Sequence, residues 1–145
     1  MINLNNKKKR CPLCGHLLER YPNNGEPLIH GEVCLQCNVT AAIPYRYFIS
    51  AYQRSPIAMV IRNGKIQVHK TSDDYWKLSD IEVFLGKNIV FKTNAKLGLT
   101  FAFIKGYEEE PKELNIIAQK ALKAPNFKSV VVIPTRLLKG VKLNE

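Results

Sequence analysis

The 145-residue chain predicts an α+β fold: a short cysteine-bearing module, then a small mixed α/β body built from two hairpins, helices and a C-terminal strand. Three observations carry that expectation. All four cysteines fall in two Cys-x2-Cys pairs within residues 11–37; two pairs of strand-like runs flank compact turns; and helical stripes are interleaved with those runs. The resulting order suits a layered α+β arrangement, and no repeat or low-complexity linker interrupts it. Two parts are expected, residues 1–43 and 44–145, with the strand order open. Hydrophobic residues at 46% and charged residues at 23% exclude a disordered chain. No apolar run approaches the roughly 18 residues of a membrane span. No secretory hydrophobic region follows the opening charges, so a cytoplasmic protein is expected.

Cys11, Cys14, Cys34 and Cys37 form Cys-x2-Cys, nineteen intervening residues, Cys-x2-Cys. That spacing is expected of a zinc site, because a tight turn brings two sulfurs to one edge of a tetrahedron with Zn–S near about 2.3 Å. Pro12 restricts the first turn, Gly15 supplies a positive φ behind Cys14, and Asn38 is the next-best residue for that role behind Cys37. His16–Arg20 reads as a strand, Tyr21–Gly25 as a turn, Leu28–Val33 as the returning strand and Val39–Ile43 as a third. These residues resemble a zinc ribbon of the CPxCG…CxxC type found in transcription, replication and RNA-processing proteins, over about residues 8–43. Disulfides and unrelated thiols are the alternatives; the absence of a secretory signal and the two matched pairs favour zinc. A redox pair is disfavoured because neither Cys-x2-Cys is expected to open a helix in a βαβ unit. Four thiolates would close the shell around one structural Zn²⁺, leaving His16 and His30 as ordinary residues.

The body reads in order. Pro44 suits a helix N1 position, and Tyr45, Phe48, Ile49 and Tyr52 follow helical spacing, which favours a helix over a strand before Ser55-Pro56. Ile57–Arg62 and Lys65–Lys70 flank Asn63-Gly64, the preferred pair for a type I′ turn. Thr71–Leu78 is a polar loop carrying Trp76, and Ser79 with Glu82 forms a capping box for a short helix that Gly86 stops. Asn88–Thr93 and Leu97–Lys105 make a second hairpin. Glu108–Glu110 suits a helix N-terminus electrostatically, Leu114, Ile117, Ala118, Ala121 and Leu122 form its stripe, and Ala124-Pro125 closes it. Phe127–Ile133 is a buried-type strand ended by Pro134, and Lys139–Glu145 a short mobile tail.

The formal charge is +10. Residues 1–70 hold ten bases against three acids and residues 71–145 twelve against nine, so most of the excess accompanies the cysteines. Four thiolates on one Zn²⁺ would bring the total nearer +8. Lys7, Lys8, Lys9 and Arg10 abut the first knuckle and, with Arg20, Arg46 and Arg54, are candidates for phosphate contact. A solubilising tail or a nuclear-localisation run is the alternative for the first four. Tyr21, Tyr45, Tyr47, Phe48 and Tyr52 could stack on bases, although core roles are expected for Phe48 and Tyr52.

No phosphate-cradling glycine loop, G-x-S-x-G or H-E-x-x-H is present, and His69 has no local partner. A metal-dependent nuclease of the restriction-endonuclease-like order needs an Asp and a Glu-x-Lys on adjacent strands. Phe103 stands where that Glu would be, and Asp73, Asp74, Asp80 and Glu82 fall in a loop and a helix cap. The expectation is therefore a non-enzymatic nucleic-acid-binding protein, DNA and RNA not being distinguished. The alternative is an accessory factor or inhibitor docking on a polymerase-like or other nucleic-acid-processing complex.

Overall fold

The computed structural model describes residues 9–124 and 127–142. Its cysteine module has two short paired segments, β1 (Asn23–Asn24) and β2 (Glu32–Val33). A helical run then passes from α1 (Leu35–Cys37) through a π-helical segment (Asn38–Ala42) into α2 (Ile43–Ala51). Next come β3 (Ile57–Arg62), β4 (Lys65–Lys70), α3 (Leu78–Leu85), β5 (Ile89–Asn94) and β6 (Leu99–Ile104), and finally α4 (Leu114–Lys123) and β7 (Val130–Pro134).

The last five strands form one antiparallel sheet in the order β4-β3-β7-β6-β5. Alternation along the strands divides the core in two. Met59, Ile61, Leu99, Phe101, Phe103, Val130 and Val132 face α2, α4 and the cysteine module. Ala58, Val60, Ala102, Val131 and Ile133 face α3, Trp76 and Leu137. Because β3 and β7 are covered on both faces, they read as continuous apolar runs rather than alternating ones.

The first hairpin has the expected register, Arg62 opposite Lys65 across Asn63-Gly64, and Asn63 takes the positive φ that this turn needs. In the second, β5 is shifted by one residue to take in Asn94, which pairs with Leu99, and β6 is shorter than the expected Leu97–Lys105. α2 starts with Pro44 in its first turn and buries Tyr45 and Phe48, as the spacing predicts. Gly86, at φ 80°, ends α3.

Several expectations are overturned. Val39–Ile43 is helical, not a third strand: the run begins at a capped Cys34, and Ala41 and Ala42 pack inward at 1% and 0% exposure. Burial and capping outweigh the strand preference of Val39 and Thr40. Asn38 is right-handed helical (φ −63°), because the second cysteine pair opens a helix instead of sitting on a hairpin knuckle. His16–Arg20 contributes only a bridge between Arg10 and Leu17, and the strand expected over Leu28–Val33 shrinks to Glu32–Val33. The chain turns at Gly25–Gly31, where Gly25 N–H donates to Gly31 O at 2.8 Å and a Cβ on Gly25 would lie 2.6 Å from Ile29 Cγ2.

In the body, α3 is capped by Asp80, whose carboxylate accepts from Lys77 N–H at 2.9 Å, rather than by Ser79 and Glu82. Glu108–Glu110 precedes α4 without entering its first turn, which has no acid. Strand β7 starts at Val130 rather than Phe127 and includes Pro134. Pro125, expected to help close α4, lies outside the described residues, as do residues 143–145 of the expected tail. The start of that tail is tied down: Lys139 N–H donates to Trp76 O at 3.2 Å. Among the described residues no helix is long and apolar enough to cross a membrane.

Candidate metal centre

The first cysteine pair sits on a tight loop. Cys11 N–H donates to His16 O at 2.6 Å and Gly15 N–H to Cys11 O at 2.8 Å, with Gly15 at φ 82°. The second pair caps a helix. Cys34 is the extended residue before α1, and its sulfur accepts from Cys37 N–H at 3.4 Å. Glu19 holds the two halves together by accepting from Leu35 N–H at 3.1 Å.

Together these supports bring the ligating atoms of Cys11, Cys14, Cys34 and Cys37 within 4.8 Å of one another, with Cys14 and Cys34 sulfurs 3.5 Å apart. A tetrahedron with metal–sulfur bonds of about 2.3 Å has sulfur–sulfur edges of about 3.8 Å, so the cluster has the dimensions of a four-thiolate site. Among the described residues it is the one cluster of His, Cys, Asp or Glu able to hold a metal ion. Cys11, Cys34 and Cys37 are buried, and Cys14 is exposed.

The electrostatics also favour a cation. Burial pushes the Cys11 thiol up, but backbone N–H groups of Cys34, Cys14 and Leu13 and the Cys37 side chain outweigh it and bring it down to about 7. Burial and the surrounding sulfurs push Cys37 well above the ordinary thiol range, and burial also raises Cys14. Four sulfurs this close cannot all carry negative charge unless a cation lies among them. His16 Nδ1 lies 3.2 Å from Cys14 Sγ, where it can orient that sulfur without ligating. The sequence had suggested no such role for it. His30 pairs instead with Glu26 at 2.5 Å.

The candidate phosphate contacts separate into groups. Lys7 and Lys8 lie outside the described residues. Lys9, Arg10 and Arg20 are exposed on the cysteine module, with Arg10 making one bond, to Gly15 O at 2.9 Å. Arg20 lies 5.5 Å from the centroid of the Tyr21 ring, itself 79% exposed. Arg46 is committed elsewhere: Nε donates to Glu26 O at 3.0 Å and a terminal nitrogen to Asn24 O at 3.0 Å, clamping the Gly25 turn to α2. Arg54 donates to Ser50 O at 3.0 Å. Replacing Arg46 with alanine should cost about 1 kcal/mol of stability through the lost bonds. Thermal melts together with nucleic-acid titration check this: melting falls while any affinity stays within about twofold of wild type.

Tyr45 and Phe48 are core residues at 2% and 0% exposure, unable to stack on bases, and Tyr52 packs on Phe48 at 5.3 Å between ring centroids. Among the described residues, the acids considered for a nuclease form no group able to hold a metal ion. Asp73 pairs with Lys77 at 2.9 Å, while Asp80 caps α3. His69 packs against Phe84 with ring centroids 4.8 Å apart and planes tilted by 49°. Comparison with protein-family models, with curated proteins and with solved structures finds no match.

Proposed function

We propose that the chain is a non-enzymatic nucleic-acid-binding protein whose cysteine module is held by one structural zinc ion. The four-sulfur donor set supports zinc, since soft thiolates in tetrahedral array suit it and fill its shell without leaving a position for water. Bound there, the ion supplies cross-linking of the two cysteine pairs. The chain's own residues do the binding. The observation carrying this reading is the exposure of Lys9, Arg10 and Arg20, with Tyr21 beside Arg20, on the module that carries the four cysteines. A zinc-ribbon relationship is supported by the CPxCG…CxxC residues, while the helical second pair departs from the simple two-knuckle form.

Fluorescence anisotropy of the zinc-loaded chain with labelled single strands and duplexes tests the reading. Four to five phosphate contacts predict an affinity loss of about 10²–10³-fold between 50 and 200 mM salt. Replacing Lys7, Lys8, Lys9 and Arg10 together with alanine should flatten the log–log slope by about four. Binding that is absent, or indifferent to salt, overturns it.

A further inference from the structure

The helical run that starts at Cys34 is apolar on two opposite sides. Its inner side buries Cys37, Ala41, Ala42, Tyr45 and Phe48. Its outer side carries Leu35, Val39, Ile43 and Tyr47, exposed by 57%, 56%, 46% and 55%. An exposed row of large apolar side chains marks an interaction face, and here that side lacks its cover.

The outer residues are spaced by four. In an unbroken α-helix each such step rotates by about 40°, so a series of four would wind about 120° around the axis. The π-helical segment Asn38–Ala42 interrupts that winding: Ile43 N–H donates to Asn38 O, five residues back. The wider turn rotates the series the other way and holds it along one side, about 18 Å long at 1.5 Å per residue. Helix segments of this kind frequently mark functional sites.

We infer that this stripe is a docking site for an acidic amphipathic helix of a partner protein. Two observations choose that occupant. Aliphatic Leu35, Val39 and Ile43 offer nothing for a base to stack on, so nucleic acid does not cover them. Residues 34–71, the helical run and the β3–β4 hairpin packed beside it, hold no acid and expose Arg46, Arg54, Lys65 and Lys70; Glu19, bonded to Leu35 N–H, is the acid at the start of the run. A second copy would bring two chains of formal charge +10 together, whereas acidic flanks on a partner helix are attracted. About three turns of partner helix, apolar on one side, lay their own four-residue ridge against the stripe. This site is separate from the phosphate contacts proposed above and stands without them.

The test selects a displayed library of 18-residue helical peptides against the zinc-loaded full chain and titrates the enriched peptides by calorimetry. Enrichment of amphipathic peptides with acidic flanks is expected. Their binding should weaken at least about tenfold in Val39→Asp/Ile43→Asp and in the milder Leu35→Ser/Tyr47→Ser. Both variants must keep the wild-type metal content and melting temperature, since all four side chains are exposed. Recovery of no peptide, of basic or uncharged peptides, or of peptides whose binding survives both variants overturns the proposal. So does sedimentation showing a dimer of the free chain that Val39→Asp/Ile43→Asp dissolves, which would make a second copy the occupant.

Discussion

Replacing Cys37 with serine is expected to strip the metal from the chain and lower its melting temperature by more than about 10 °C. Cys37 is a buried sulfur of the four-thiol cluster, and its N–H also satisfies Cys34 Sγ at the start of the helical run. Losing it leaves three sulfurs around a cation and a serine hydroxyl among apolar neighbours, both costly. Isolated zinc modules derive about 10–16 kcal/mol of apparent folding energy from the metal. Here the same core cluster includes Leu28, Val33 and Phe48 alongside the cysteines, so apolar packing retains part of the structure. Cys14→Ser should bind metal as poorly yet melt higher than Cys37→Ser, because Cys14 is exposed. Metal analysis with calorimetry, repeated on wild type stripped by a chelator, checks all three. A Cys37→Ser chain holding one metal per molecule at the wild-type melting temperature would refute the assignment.

Phe48→Ala should cost about 3–5 kcal/mol, the usual range for a fully buried phenylalanine. Phe48 has 0% exposure, stacks on Tyr52 and belongs to the cluster joining the cysteine module to the sheet. At about 2–4 °C per kcal/mol for a chain of this size, melting falls by roughly 6–20 °C. Val83→Ala, at a position 76% exposed on α3, should stay within about 0.5 kcal/mol of wild type. Denaturant titrations of the pair measure the contrast. Phe48→Ala with unchanged stability would show that helix and sheet are not packed through this ring.

Features carried by neighbouring residues were legible in the chain. Asn63-Gly64 prescribes its turn and thereby the register of β3 on β4, and the four cysteines declare their cluster by spacing alone. The stripe of α4 also follows from helical periodicity, with Leu114, Ile117, Ala118 and Ala121 buried. What escaped depends on distant partners. Val39 and Thr40 favour strands locally, yet Cys34 caps a helix whose inner side is buried. Nothing near Val130–Pro134 announces that it lies between β3 and β6. Arg46 looked free in sequence because the carbonyls it clamps are twenty and twenty-two residues away. The exposed stripe of Leu35, Val39, Ile43 and Tyr47 also escaped, because a strand over Val39–Ile43 does not align these residues and their exposure depends on the fold.

The placement of β7 also orders events in time. Each hairpin can close as soon as it is made, whereas β3 and β6 must wait for a strand about seventy residues beyond β3 before their inner edges are covered. During synthesis the sheet is two separate ribbons with two more open edges than the finished sheet, a form prone to pairing with other chains. Val130–Pro134 ends that exposure in one stroke, docking between both ribbons and joining them. Such distant pairing makes for slow folding, and it places the chain's most vulnerable interval just before its final strand arrives.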